Sequence, residues 1–551
     1  MRHSLTAFLS RRGNRLLRLG EPMVWLNAGA VSLSMIAVLG LLGLLAFHGL
    51  GYFWPRPVAL YEMGPNSRVL AERVSVEQVD RAQLQAAGYP LPAGAGDIAR
   101  LLLKRGNRDV YGTDFVWLLQ HEIVRQSFPP DALRVEREEW GNLYGFLEAV
   151  LRDGEVVADT ASTPEATWQR FNLELERSRR IHAQIRKLEQ EQIAGISRRL
   201  ERLQDKRDSP QFRAEYAALE SDYQRALRKL ETLYAEDARH AYRVRLADRQ
   251  LLTLPLGQVV RAVRPNRMSL LEKLDYYRER VWEFLSAAPR EANTEGGVYP
   301  AIFGTVLMVL LMSIVVTPFG VLAAVFLNEV AGQGRITRVF RAAVNNLAGV
   351  PSIVYGIFGL GFFVYGIGGE VDSLFFADSL PSPTYGTPGI MWASLTLALL
   401  TLPVVIVATE EGLARIPRSV REGSLALGAT RAETLWRVVL PMASPAMMTG
   451  VILAVARAAG EVAPLMLVGV VKLAPSLPVD GIYPYLHLEQ KFMHLGFHIY
   501  DLGFQSPNIE AARPLVYATA LLLVIIIALL NFAAVTLRNR LRERYSALDA
   551  G

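Results

Sequence analysis

Six apolar stretches along the chain are each long enough to cross a membrane as a helix. About 20 apolar residues span a hydrocarbon layer of roughly 30 Å, because a helix rises ~1.5 Å per residue. The pattern predicts membrane helices at residues 24–48, 299–328, 346–366, 391–409, 443–471 and 514–537. The third stretch is rich in glycine, alanine and serine, which lets membrane helices approach one another closely.

Arginine is concentrated at alternate ends of these predicted helices. Five arginines lie within residues 1–22, three lie in the loop 329–341, and the last helix is followed by Arg538, Arg540, Arg542 and Arg544. Positively charged flanks stay on the cytoplasmic side of a membrane. Both termini are therefore expected to be cytoplasmic, and the long polar stretch 55–297 is expected on the outer side.

The polar stretch 55–297 divides into two parts. Short apolar runs between turns predict a small α+β unit up to about residue 163. From about residue 165 to 250, apolar residues recur at helical spacing on either side of Ser209 and Pro210, which fit the N-cap and first position of a helix. This second part is predicted to be an antiparallel coiled-coil hairpin.

The composition fits membrane helices diluted by one large polar domain. Of 551 residues, 51% are hydrophobic and 20% are charged, and the mean hydropathy is +0.20. The net charge of +6 is assigned to basic cytoplasmic flanks. Acids interleave with bases along the predicted hairpin, so nucleic acid is not expected as a partner. The absence of cysteine excludes disulfides and thiolate metal sites.

A charged, amphipathic stretch at residues 410–441, which we call the elbow, separates the fourth and fifth predicted helices. Gly428 permits a left-handed turn, and proline cannot continue a helix in the ordinary way. The pattern predicts a short helix, a turn at Gly428, a second short helix from about residue 430, and a stop at Pro441. The positions that define the elbow are Glu422, Gly423, Ser424, Gly428, Leu440 and Pro441.

Two charged residues, Arg457 and Glu461, lie inside the fifth predicted helix. A charge near the middle of a membrane costs on the order of 3 kcal/mol even on permissive scales. Residues four apart share one face of a helix, so the two charges can pair. One interpretation is a substrate path, in which the planar guanidinium of Arg457 binds a crossing oxyanion and Glu461 neutralises it between turnovers. The alternative is an ion pair that only locks helices together.

No catalytic or metal-binding arrangement is evident in the sequence. The chain lacks a GxxxxGK[ST] phosphate loop, so it is not expected to hydrolyse ATP itself. His487, His494 and His498 share one loop, and the last two have a chelating spacing, but no carboxylate or cysteine completes an obvious set. Neither a metal nor a cofactor is therefore expected.

The elbow resembles the E-A-A loop of ABC-importer permeases, with Gly423 and Ser424 for two alanines and Val438 for an isoleucine. Together with the elbow, three other segments resemble the A-type permease subunit of bacterial phosphate ABC importers. The four segments are GTVLMVLLMSIVVTPFGVLAAVFLNE, NNLAGVPSIVYGIFGLG, LPVVIVATEEGLARIPRSVREGSLALGATRAETLWRVVLP and RAAGEVAPLMLVG. The resemblance covers residues 24–54 and 295–545, and leaves the stretch 55–297 as an insertion.

The resemblance implies a mainly α fold with a MetI-like core of six transmembrane helices. Residues 1–54 and 298–545 would form this core, and 55–297 would be a periplasmic α+β and hairpin insertion. In the family, the elbow docks on a cytoplasmic ATPase dimer, with Glu422 and Gly428 bearing force. The implied partners in the bacterial inner membrane are a C-type permease, that ATPase dimer, a periplasmic phosphate-binding protein, phosphate and membrane lipid. Transport would proceed by alternating access.

Other interpretations stay open. A permease for another oxyanion, such as tungstate or phosphonate, would use Arg457 equally well. A membrane-anchored scaffold built around the coiled-coil hairpin explains residues 165–250 but leaves the elbow and the charged pair unexplained. A third interpretation combines the two, with the hairpin positioning the binding protein.

Overall fold

The computed structural model describes residues 21–549 with short gaps. The gaps are residues 65–66, 81, 83–97, 162, 194, 198, 201–211, 291–292, 332–333, 378–379, 482–483 and 507–508. The arginine-rich segment 1–20 and the predicted turn at Ser209 and Pro210 therefore lie outside the described residues.

The N-terminal part consists of one apolar helix and an antiparallel sheet. Helix α1 (Glu21–Gly51) exposes most of its apolar side chains, as a helix facing lipid does. The first sheet has the strand order β4-β3-β2-β1-β5. Its strands are β1 (Val58–Glu62), β2 (Arg68–Val79), β3 (Ile98–Lys104), β4 (Phe115–Leu119) and β5 (Arg125–Ser127), with the one-turn helix α2 (Arg108–Tyr111) before β4.

A second antiparallel sheet is built from strands on both sides of a helical hairpin. Before the hairpin come β6 (Ala132–Arg137), β7 (Asn142–Arg152) and β8 (Glu155–Asp159); after it come β9 (His240–Arg245), β10 (Leu251–Pro255) and β11 (Val259–Val263). The strand order is β10-β9-β7-β6-β11, and β8 pairs with the end of β7. The sequence predicted a unit that ends near residue 163, whereas its second sheet is completed only after the hairpin.

The hairpin consists of α3 (Pro164–Lys187), continued by a π-helical turn (Leu188–Ile193), and α4 (Phe212–Asp237). Ser178 donates a hydrogen bond to Asp237 over 2.6 Å, and Tyr234 donates to Glu189 over 2.8 Å, so the helices run antiparallel. The two helices bury Ile181, Ile185, Leu188, Ala226 and Leu233 in one cluster. The supercoil expected from the sequence stays a prediction.

Helix α5 (Leu270–Ser286) and the short strands β12 (Pro289–Arg290) and β13 (Glu295–Gly296) lead the chain back to the membrane helices. Ser269 begins α5 with a reciprocal cap, in which its hydroxyl accepts from the Glu272 amide and the Glu272 carboxylate accepts from the Ser269 amide. Near its other end, Phe284 packs against Phe53 with ring centroids 5.2 Å apart. The insertion therefore rests directly on the end of α1.

The C-terminal half is helical. Its helices are α6 (Tyr299–Val325), α7 (Arg335–Leu347), α8 (Ser352–Phe358), α9 (Gly369–Phe375), α10 (Ile390–Ala414), α11 (Arg418–Ala426), α12 (Arg431–Thr434), α13 (Leu440–Gly460), α14 (Leu465–Val468), α15 (Leu495–Tyr500) and α16 (Ile509–Asp549). Four π-helical turns, Phe326–Val330, Gly359–Gly368, Leu435–Val439 and Asp501–Gln505, join or extend them.

Within the described residues, six helical segments are long and apolar enough to cross a membrane, as predicted. They are Met23–Gly51, Tyr299–Val330, Ser352–Phe375, Ile390–Ala414, Arg431–Gly460 and Ala512–Arg540. Several boundaries differ from the prediction. The third segment runs from Ser352 to Phe375 rather than 346–366, and the fifth runs from Arg431 to Gly460 rather than 443–471. At the start of the third, Pro351 disfavours a helical conformation in the residue before it. The fifth ends where the backbone of Glu461 becomes extended.

Helix α10 lies at the centre of the bundle between α6 and α13, which contact it through small residues. A methyl group on Gly320 would lie 2.6 Å from a Val405 methyl, and one on Gly450 would lie 2.8 Å from Ala408. Membrane helices gain little from the hydrophobic effect and associate instead through close packing of this kind. The glycine-rich third segment behaves in the same way, since Gly356 lies against Pro464.

Candidate functional site

The elbow begins with α11 (Arg418–Ala426), which carries Glu422, Gly423 and Ser424. The helix ends in a Schellman arrangement: the Gly428 amide donates to the Leu425 carbonyl over 3.0 Å, and the Ala429 amide donates to the Ser424 carbonyl over 3.3 Å. Gly428 has φ +89°, in the left-handed region that favours glycine. The predicted glycine turn is therefore present.

The second half of the elbow begins at Thr430, close to the predicted start. Thr430 and Glu433 form a reciprocal cap at the start of α12, with the Thr430 amide donating to the Glu433 carboxylate over 2.9 Å. The prediction of a stop at Pro441 is wrong. The helical segment runs from Arg431 to Gly460, and Pro441 follows the π-helical turn Leu435–Val439, whose altered hydrogen-bond pattern accommodates a residue without an N–H.

The elbow is tied to two membrane helices through Arg421. Its guanidinium donates to Glu329 Oε1 over 2.8 Å and to the Leu413 carbonyl over 2.9 Å. Glu329 lies in the π-helical turn that ends the second span, and Leu413 lies at the end of the fourth. Within the elbow, the hydroxyl groups of Ser424 and Thr434 share a hydrogen bond of 2.9 Å, which joins its two helices.

The tip of the elbow is exposed and partly apolar. Leu427, directly before Gly428, is 91% exposed, and Glu422 is also exposed. Leu440 and Pro441 are half-buried at the base, where Leu440 packs beside a cluster formed by Val325, Leu413, Ile416, Val439 and Ala443. The base is therefore fixed on the spans, while the tip presents a leucine to its surroundings.

Arg457 and Glu461 lie together at the end of α13. The Arg457 Nε is 3.5 Å from Glu461 Oε1, and the two side chains are 37% and 22% exposed. Glu461 does not continue the helix, because its backbone is extended (φ −79°, ψ 133°). The prediction that both residues share a helical face is therefore corrected: the carboxylate folds back from a break in the span onto the guanidinium of the last helical turn.

The break after α13 creates a place where backbone polar groups leave the helical pattern. Residues 461–464 separate α13 from the short helix α14, and Pro464 packs against Gly356 of the third span. Irregular backbone at membrane depth is tolerated where protein or a water-filled cavity surrounds it. A paired arginine beside such a break can exchange its carboxylate partner for an incoming oxyanion.

The three loop histidines have separate environments. His487 contacts Asp480 over 3.0 Å and Glu489 over 3.2 Å. His494 and His498 are buried, and burial lowers the pKa of each to about 4, so both are neutral at neutral pH. Across the part of the chain that the structure describes, no three histidine or acidic side chains are grouped so as to hold a metal ion.

The sequence analysis missed the residues that fix the elbow in place. Arg421 lies one position before Glu422, and Glu329 follows the second apolar stretch. A single acidic residue at the edge of a predicted span was the signal in the sequence for Glu329. Nothing in the sequence indicates that the two meet, because 92 residues separate them. The apolar Leu427, which directly precedes the turn at Gly428, was a further signal in the sequence for the tip of the elbow.

Comparison with known proteins agrees with this architecture. Residues 316–546 match the family described as binding-protein-dependent transport system inner membrane component. The phosphate transport system permease protein PstA 1 of Mycobacterium tuberculosis (strain ATCC 25618 / H37Rv) is 35% identical over 245 residues, which are 44% of this chain and 70% of that protein.

One further relative and one solved structure were also compared. The probable phosphate transport system permease protein PstA of Methanocaldococcus jannaschii is 30% identical over 286 residues, 51% of this chain and 86% of that protein. Among solved structures, the inward-facing MetNI methionine ABC transporter is 19% identical and covers 47% of this chain and 97% of its own, with a TM-score of 0.32.

The protein is thus a membrane-spanning permease component of an ABC importer and is not itself an enzyme. It belongs to the family of binding-protein-dependent transport system inner membrane components, and its C-terminal half is PstA-like. Such a transporter works with an ATPase and a binding protein. The insertion between the first and second spans lies outside the part matched by the family.

Proposed function

We propose that this chain is the permease subunit of an ATP-driven importer of inorganic phosphate that works by alternating access. The observation that carries the proposal is the paired Arg457 and Glu461 at a break in the fifth span. The names of the relatives, which are phosphate transport permeases, support the choice of substrate. Uptake of labelled phosphate by a strain that lacks its own importer and carries this gene tests the proposal directly.

Arg457 is the residue that meets the anion in this proposal. Its guanidinium binds phosphate oxygens in a fork and stays charged, and Glu461 replaces the anion after release. Arg457→Gln should abolish most phosphate uptake while leaving the protein in the membrane. Normal uptake by this variant would remove the proposed path. Arg278→Gln, at a 78% exposed arginine of α5 outside the elbow, provides a matched control.

A permease for another oxyanion is the second candidate, because a guanidinium fork fits any tetrahedral oxyanion. Competition decides between the two. Excess unlabelled phosphate should suppress uptake of labelled phosphate far more than equal tungstate or phosphonate does. Stronger competition by tungstate or phosphonate would reassign the substrate but keep the transport function.

The elbow transmits ATP-driven movement in this proposal. Its exposed tip, including Glu422 and Leu427, would dock on an ATPase dimer, while Arg421 and the buried base pass movement to the second and fourth spans. Glu422→Lys should therefore uncouple uptake from ATP hydrolysis without preventing membrane insertion. Unchanged uptake per ATP hydrolysed would count against this role.

The proposed orientation places the elbow and both termini in the cytoplasm and the insertion in the periplasm of a bacterial inner membrane. The arginines that flank the spans support it. Because the chain has no cysteine, single cysteines report the orientation without interference. A membrane-impermeant maleimide should label Asp222→Cys, in the hairpin, in intact spheroplasts, and should label Glu422→Cys only after the membrane is opened. The reverse pattern would invert the orientation.

The remaining partners follow from the class of transporter. We propose a C-type permease beside this chain and a periplasmic phosphate-binding protein that delivers the anion. A scaffold function for the hairpin would explain only the insertion. Co-purification distinguishes a scaffold from a transporter, because a transporter should bring an ATPase and a second permease with it. If deleting residues 165–237 slows uptake only at limiting phosphate, the hairpin positions the binding protein.

A further inference from the structure

A small cavity lies where the insertion meets the outer ends of the membrane helices. It measures about 110 Å³, several times the space that one water molecule needs. The end of α1 contributes three aromatic residues, α16 contributes Pro514 and Leu515, and the insertion contributes the polar wall. The charged residues that line it are Arg56, Glu72, Lys104, Arg134, Glu136, Arg280, Arg290 and Glu295.

Basic residues outnumber acidic residues around this cavity. Among the described lining residues, five are arginine or lysine and three are glutamate, which leaves a formal charge of +2. Just outside the lining, Glu283 bonds Arg261 over 3.1 Å and also the lining residues Arg280 over 3.1 Å and Arg290 over 2.8 Å. Counting Arg261 and Glu283 together leaves the sum unchanged. An excess of positive charge in a partly dehydrated site favours an anion.

Several lining cations keep donor groups that the surrounding acids do not use. The side chain of Arg134 is 7% exposed and bonds Glu72 over 2.8 Å, Glu136 over 3.3 Å and the Tyr276 hydroxyl, yet its buried Nε has no acceptor among the described residues. Arg290 bonds Glu283 over 2.8 Å, and its buried Nε likewise has no described acceptor. Buried donors such as these two Nε atoms normally find an acceptor. Arg56 is half-buried; no described carboxylate lies within ion-pair distance of it, and its hydrogen bond to the Arg73 carbonyl is long, at 3.5 Å.

The charges around the cavity persist near neutral pH. Burial alone would lower the pKa of Lys104, but Glu295 and Glu72 beside it raise that pKa above its usual value. Burial would raise the pKa of Glu136, but Arg280, Arg134 and Arg261 hold it well below its usual range. The basic excess is therefore a property of the folded protein under ordinary conditions.

We infer that this junction cavity binds a phosphate-type anion through Arg56, Arg134 and Arg290. Guanidinium groups bind phosphate oxygens with short, charge-assisted hydrogen bonds, and the cavity supplies three of them with spare donors. Two sources fit this chemistry: inorganic phosphate from the outer side, or the headgroup of an anionic phospholipid, since Trp54 and Leu515 place the cavity beside the ends of two spans. The inference does not depend on phosphate being the transported anion.

Binding of labelled inorganic phosphate to the full chain tests the first source. The chain is placed in nanodiscs of neutral phosphatidylcholine, without the binding protein, and carries Arg457→Gln so that the proposed transport path does not contribute. One phosphate should bind, and Arg56→Gln should weaken it by about tenfold, the effect of losing one charge-assisted contact. Arg56 is chosen because no described carboxylate is left unpaired by its loss.

Binding of a labelled anionic lipid, phosphatidylglycerol, in the same nanodiscs tests the second source. A headgroup site would retain phosphatidylglycerol in the original chain and release it about tenfold more readily in Arg56→Gln. The control is Arg278→Gln on α5, which removes an arginine that is 78% exposed and outside the cavity, and it should change neither affinity. If neither phosphate nor phosphatidylglycerol depends on Arg56, the cavity is only a structural ion-pair cluster and the inference is overturned.

Discussion

Arg421 offers the sharpest test of how the elbow works. Its guanidinium bonds Glu329 at the end of the second span and the Leu413 carbonyl at the end of the fourth. A single side chain thus connects the elbow to two membrane helices. We predict that Arg421→Gln lowers uptake per ATP hydrolysed without lowering the amount of protein in the membrane.

The size of the effect follows from the bonds that are lost. Hydrogen bonds with a charged partner contribute about 1.5–3 kcal/mol each when buried. Arg421 and Glu329 are each 23% exposed, so solvent weakens them. We therefore assign about 2–3 kcal/mol to the two Arg421 hydrogen bonds together. Their loss should shift the equilibrium between the attached and detached elbow by roughly 30- to 150-fold. Val420 still packs at the elbow base, so the protein should fold.

The assay measures uptake and ATP hydrolysis together in proteoliposomes that contain the whole transporter. Arg421→Lys keeps the charge but loses the planar fork, so it should give an intermediate ratio of uptake to hydrolysis. The control Arg415→Gln should keep the original ratio, because Arg415 is 80% exposed and its ion pair with Glu411 is long, at 3.9 Å. An unchanged ratio in Arg421→Gln would refute the proposed role of this contact.

Two further predictions concern the turn of the elbow and the loop between the fifth and sixth spans. In Gly428→Ala the added methyl group meets no atom within 4 Å, but the alanine must adopt φ +89°. This strain should destabilise the folded elbow by about 1–2 kcal/mol. Uptake should fall, while an immunoblot of the membrane fraction should show an unchanged amount of protein. The pKa of His498 is about 4 in the folded chain, below its unfolded value near 6.5. Between these two pH values unfolding takes up a proton, so the folded chain loses stability as the pH falls from about 6.5 towards 4. His498→Gln should show a smaller fall in thermal midpoint between about pH 7 and pH 5 than the original chain does.

The sequence predicted the membrane half of the fold well because its signals are local. An apolar run of sufficient length forms a membrane helix regardless of distant residues, since the backbone must satisfy its hydrogen bonds within the segment. The turn at Gly428 was likewise predictable, because only glycine adopts its conformation without strain. Pro441 was misjudged because a proline does not stop a helix where a π-helical turn alters the regular hydrogen-bond pattern, as the turn Leu435–Val439 does just before it.

The insertion was harder to predict because its order depends on distant pairs. Strand β7 pairs with β9, and the whole hairpin lies between them in sequence. The same limitation hides the junction cavity, where Arg134 meets Glu72 and Tyr276 from separate elements. Neither the periodicity of a strand nor its charge specifies which partner it will have. Only the folded structure brings these residues together.

The insertion is held to the membrane helices by more than its two chain connections. The Val298 amide donates to the Phe284 carbonyl over 2.8 Å, and Asn293 Nδ2 donates to the Lys472 carbonyl over 3.0 Å and to Asp501 over 3.1 Å. These bonds join the insertion to the start of α6 and to the loop between the fifth and sixth spans. In the proposed alternating access, the ends of some helices on this side of the bundle separate, so an insertion bonded in this way should move together with the ends that it contacts. The proposed mechanism therefore predicts that the opening for the anion forms on another side of the bundle, away from these bonds.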